Sequence, residues 1–102
     1  MTVSKNDLRL PADALILYCL YCCGQGTSIS IADMISRNER DVSQRISKLS
    51  ELGLVTGVDS PTEPVTLSTP DGVDAAEKFV AYLFPDQRHK IEQMMAYSVT
   101  WN

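Results

Sequence analysis

The chain lacks any apolar run long enough to cross a bilayer. Its longest, Ala14 to Cys23, falls far short of the roughly 20 residues a spanning helix needs. The N-terminal stretch MTVSKNDLRLP is polar and mixed in charge, without the basic start and small-residue cleavage site of a signal peptide. A cytoplasmic protein with no membrane partner is therefore expected. There is one histidine, no glycine-rich phosphate loop, no HExxH and no GxSxG, so no enzyme, catalytic residue or cofactor is expected. The three cysteines, Cys19, Cys22 and Cys23, are an odd number confined to one pentapeptide, which excludes a disulfide framework. Internal repeats and low-complexity segments are absent as well.

What is there suits one compact domain: 102 residues, 44% of them hydrophobic. The net charge of −4 argues against a uniformly basic nucleic-acid binder, but the charge is unevenly spread. Residues 37–48 hold Arg37, Arg40, Arg45 and Lys48 against Glu39 and Asp41, leaving +2. Residues 49–87 hold Lys78 against seven acids, leaving −6. Phosphate contacts are made by a local patch, so one basic cluster in an acidic chain is sufficient for them.

Periodicity predicts a first helix from Leu10 to Cys23, apolar nearly all round and ended by Gly24 and Gly26. Ser28 or Ser30 is expected to cap a second helix carrying Ile31, Met34 and Ile35 on one side. Asn38, with Asp41 three residues on, predicts a capping-box variant at the start of a third helix. The inner stripe of that helix is Val42, Ile46 and Leu49, and Gly53 ends it in a left-handed cap. Two short strands, Leu54-Val55-Thr56 and Val65-Thr66-Leu67, flank a turn-rich loop. Thr69-Pro70 then opens a helix burying Ala76, Phe79, Val80 and Leu83, and a last helix runs from about Asp86 to Val99. The fold class is mainly α with a small β-hairpin. The order describes a winged helix–turn–helix over residues 1–84, with a C-terminal helical extension at 85–102.

Within this order, "SIADMISRNERDVSQRISKLSELGLV" and "VTLSTPDGVDAAEKF" resemble the helix–turn–helix and wing-exit segments of MarR-like and PadR-like transcriptional regulators. The resemblance covers about residues 28–84 and rests on Ile31, Ala32, Ile35, Val42, Ile46, Leu49, Leu52, Gly53 and Leu54. It implies transcription regulation by binding double-stranded DNA. Two departures stand out. The turn reads Ser36-Arg37-Asn38 where the family has glycine, an aliphatic residue and serine. The wing, residues 56–64, has Asp59 and Glu63 but no lysine or arginine.

At 100° per residue, the face of the third helix opposite its core stripe collects Arg40, Gln44 and Ser47, flanked by Ser43 and Lys48. Arginine pairs with guanine, glutamine with adenine and serine with several acceptors, so these types suit the major groove. Arg37, in the turn, is expected on backbone phosphate. The competing reading of this face is a solvated helix surface.

Cys19, Cys22 and Cys23 share one helical stripe with apolar neighbours, which predicts core packing over metal binding or redox sensing. The last helix presents Ile91, Met94, Met95 and Val99, expected to form a symmetric homodimer contact. The alternative is that this helix folds back on its own core. For the whole chain the alternative is a winged-helix protein-interaction module or antagonist of another regulator, with its acidic region facing a basic protein partner.

Overall fold

The structure, a computed structural model, describes residues 7–57 and 63–100, with the helical backbone alone for 94–100. Among the described residues it is mainly helical, with five α-helices and one two-stranded antiparallel sheet. Helix α1 spans Ala12–Cys23, with Pro11 at its N-cap and Gly24, at φ 85°, closing it through an N–H bond to the Leu20 carbonyl. Every residue from Ala12 to Leu20 is buried, because α1 runs through the middle of the molecule and touches all four other helices.

Helix α2, Ser28–Ile35, is capped by Thr27 and not by Ser28 or Ser30. Thr27 has the extended backbone a cap requires, and its hydroxyl accepts the Ser30 N–H at 3.1 Å. Ser30 returns the favour by accepting the Thr27 N–H at 3.0 Å, so a serine fills the usual Glu or Gln position of the capping box.

Helix α3, Glu39–Glu51, starts as expected at Asn38, whose side chain accepts the Arg40 N–H at 2.8 Å. No reciprocal bond from Asp41 is formed among the described residues. Val42, Ile46 and Leu49 are buried. Gly53 adopts φ 78°, and the N–H groups of Gly53 and Leu54 return to the carbonyls of Ser50 and Leu49, both at 3.0 Å. These paired bonds satisfy the last carbonyls of α3 and turn Leu54, 1% exposed, onto the core.

Strands β1, Val55–Thr56, and β2, Thr66–Leu67, pair with Val55 opposite Leu67 and Thr56 opposite Thr66. A bridge between Gly26 and Val65 adds the α1–α2 connection to this small sheet. Ser68 then couples two elements. Its hydroxyl donates to the Gly53 carbonyl at 2.6 Å and accepts the Gly72 N–H at 2.9 Å, in place of a Thr69 or Pro70 cap for helix α4, Asp71–Phe79. Gly72 lies so close to the chain leaving α3 that a Cβ there would meet the Leu54 carbonyl oxygen at 2.0 Å. Ala75, Ala76 and Phe79 are buried, Val80 is half-buried in a 3-10 turn, Val80–Tyr82, and Leu83 closes the core.

Helix α5, Pro85–Thr100, packs its first half against α1. Ile91, expected at a dimer contact, is 1% exposed inside the chain's own core. Beside it the Tyr18 hydroxyl donates to Glu92, and Arg88 lies 3.7 Å from Glu92 and over the Tyr18 ring. The side chains of Met94, Met95 and Val99 lie outside the described residues.

Among the described residues, Asp13 is the one charged side chain wholly inside. It is fully buried in the first turn of α1, where its Oδ1 accepts from Arg45 Nε at 2.8 Å and its Oδ2 from Arg45 Nη2 at 2.7 Å. The Arg9 N–H adds a third bond at 2.8 Å. The bonds to Asp13 hold the Arg45 guanidinium above its ordinary pKa, with burial opposing and the Asp13 charge adding to them. Removing one partner strands a buried charge, a loss of about 3–5 kcal/mol. Asp13→Ala and Arg45→Ala are each expected to lower the unfolding free energy by about that much in urea titrations, with the double variant losing less than their sum. Single losses below about 1 kcal/mol would contradict this role.

Candidate nucleic-acid interface

The buried stripe of α3 fixes which residues face outward. Arg40, Gln44 and Lys48 follow one another at four-residue intervals, and all three are exposed. From Arg40 to Lys48 they span about 12 Å of helix axis, close to the width of a major groove. Ser43 and Ser47 are half-buried along the flank of the same face. The six residues expected at a DNA contact, Arg37 included, thus lie on α3 and the turn before it.

The turn is built without glycine. Ser36 takes the left-handed conformation, φ 57° and ψ 48°, and the Arg37 N–H reaches back to the Ala32 carbonyl at 2.9 Å. This leaves Arg37 exposed at the corner between α2 and α3. Lys90 of α5 donates from its ammonium to the Ser36 hydroxyl, so a cation distant in sequence sits beside the turn. Nothing local in the sequence marks Lys90 for this position; only the packing of α5 beside α2 delivers it.

The electrostatic sum differs from the sequence expectation. Arg45, counted in the basic cluster, is neutralised by Asp13. Arg37, Arg40 and Lys48 then face Glu39 and Asp41, leaving +1 where +2 is expected, and Lys90 restores +2. Lys48 approaches Glu51 at 3.8 Å, but both are well exposed, and a surface pair contributes at most about 1 kcal/mol. Lys48 therefore remains available to another anion. Glu39 accepts the Ser28 hydroxyl at 3.0 Å, which ties the start of α3 to the start of α2. Among the described residues neither Arg37 nor Arg40 has an acid within ion-pair distance. Of the wing, residues 58–62 lie outside the described residues, and Glu63 is exposed.

The cysteines divide. Cys19 is buried at 1% exposure, its Sγ 3.0 Å from the Met34 sulfur, and burial pushes its thiol up to about 12. Cys22 is half-buried and Cys23 exposed, so the expectation of core packing fails for Cys23. The reason is positional: α1 outruns the core in its last turn, where Tyr21 also reaches solvent and donates to Glu77 at 2.9 Å. Desolvation raises the thiol pKa of Cys22 and Cys23 as well. Among the described residues no group of three or more His, Cys, Asp or Glu is arranged to hold a metal ion, and no helix is long and apolar enough to cross a membrane.

No family model, curated protein or solved structure matches the chain.

Thiol reactivity follows the burial of the three cysteines. Against a disulfide reagent at neutral pH, native protein is expected to lose Cys23 first and more slowly than free cysteine, because its thiolate is disfavoured. Cys19 should react only on unfolding. Mass mapping of the labelled positions reads this out, and early labelling of Cys19 would contradict its burial.

Proposed function

We propose that the chain is a winged helix–turn–helix transcriptional regulator that binds duplex DNA with α3 in the major groove. The observation that carries this reading is the exposed Arg40-Gln44-Lys48 row, opposite a stripe buried to its last residue and flanked by Arg37 and Lys90 at the turn. Three helices followed by a hairpin are the elements of a winged helix, and the small sheet locks the hairpin to the connection before α2. Arg40 and Gln44 read base edges; Arg37, Lys48 and Lys90 meet phosphates. The protein works without catalysis, and its activity is regulation by occupancy.

A homodimer that places two α3 helices on successive turns of DNA belongs to this reading, and Ile91, committed to the chain's own core, takes no part in its contact.

A second reading draws on Glu39 and Asp41 in the first turn of α3 and on Asp71 and Asp74, exposed at the start of α4. These carboxylates complement the helix dipoles but repel phosphate. If they dominate, the domain binds a basic protein and not DNA.

Fluorescence polarisation against duplexes selected from a random pool separates the two. Three phosphate contacts predict a slope of log affinity on log salt of about −3 per protomer. Arg40→Ala and Gln44→Ala should each cost about 1–3 kcal/mol on the selected site and much less on random duplex. Absence of binding at low salt would refute the DNA reading.

A further inference from the structure

A cleft of about 150 Å³ opens where the segment before α1, the α2–α3 turn and α3 meet. Arg9 lines it from the first of these, Arg37 from the second, and Gln44 and Arg45 from the third, with Asp41 and Val42 beside them. Arg9 plays no part in the sequence reading, yet folding brings its exposed side chain into one cleft with two other arginines. The Arg45 guanidinium is held by Asp13 through Nε and Nη2, so its Nη1 donors remain unused by that pair.

Charge and size together identify the occupant. Three guanidinium groups against Asp41 and the buried Asp13 leave the cleft at +1, which matches a phosphodiester monoanion. Pockets for drug-sized ligands hold roughly 300–1,000 Å³, so this volume suits one projecting group and not a whole effector molecule. Guanidinium groups are the side chains best shaped to grip phosphate oxygens in pairs.

We propose that this cleft is a phosphate-binding notch in which Arg9 and Arg37, backed by Arg45, grip one phosphate of the DNA backbone. The source of the phosphate rests on the DNA reading above; the anion site itself does not. The bound phosphate anchors the start of α1 beside the groove and sets the register in which Arg40 and Gln44 meet the bases.

The full chain carrying Arg9→Gln or Arg37→Gln tests it, after circular dichroism has established that each variant folds. Each should weaken selected and random duplexes by the same factor, roughly tenfold, and reduce the magnitude of the salt slope by about 1. Duplex binding by the unaltered protein with affinity and slope unchanged in both variants would overturn the notch and leave the DNA reading standing. If the unaltered protein binds no duplex, inorganic phosphate titrated against the arginine Nε–H NMR signals decides. Shifts at Arg9, Arg37 and Arg45 that disappear in Arg9→Gln establish a site for free phosphate and discard the DNA reading; no shifts discard both.

Discussion

The bonded pair of Asp13 and Arg45 is the constraint on which the rest of the molecule depends. A carboxylate with no solvent exposure, set in an otherwise apolar helix, costs several kcal/mol of desolvation unless its oxygens are fully engaged. Two guanidinium bonds and the Arg9 N–H engage them, and each demands a particular placement of α3 and of the chain entering α1. Apolar packing of Val42, Ile46 and Leu49 is non-directional and would tolerate some rotation of α3 about its axis. The bidentate pair removes that freedom, since a guanidinium meets a carboxylate in one plane. The rotation of α3 then decides which of its residues face out.

The same pair fixes the electrostatics of the outer face. Arg45 lies about 60° from Val42 around the helix, at the border of the apolar stripe, and turns inward. The exposed row that remains is Arg40, Gln44 and Lys48, two cations on either side of an amide, and Glu39 and Asp41 in the first turn of α3 bring the local sum to zero. Such a surface suits discrimination among base edges better than indiscriminate attraction to phosphate. Positive charge is supplied at the margins, by Arg37 and Lys90 at the turn and by Arg9 before α1. In a chain of net charge −4, this concentrates attraction where a duplex would approach the start of α3.

Local features were legible in the sequence because their causes are local. The period of Val42, Ile46 and Leu49 marks the buried side of α3, and Asn38 and Gly53 mark its ends by hydrogen bonding and by a left-handed backbone. The same period places Arg40 and Gln44 on the outer face, but Ser47, expected there with them, is half-buried, and Lys48, expected at the flank, is exposed. Juxtapositions of distant segments were not legible: Lys90 reaching Ser36, Gly26 bridging Val65, and Arg9 lining one cleft with Arg37. Asp13 and Arg45 left a partial signal, a lone acid in an apolar run and an arginine at the edge of an apolar stripe. The cap of α2 falls at Thr27, one residue before Ser28 and three before Ser30, because three hydroxyls within four residues, on Thr27, Ser28 and Ser30, offer equivalent caps. For Cys23 and Ile91 the deciding fact is where the core ends along α1 and α5, and periodicity carries no information on that.

The most direct measurement is to follow every backbone amide by NMR as a selected DNA duplex is added. If α3 lies in the major groove, the largest shifts fall on residues 37–48, with a second group at Arg9 and near Lys90. Shifts confined to α4 and its acidic first turn, or none along α3, would contradict DNA recognition by this helix.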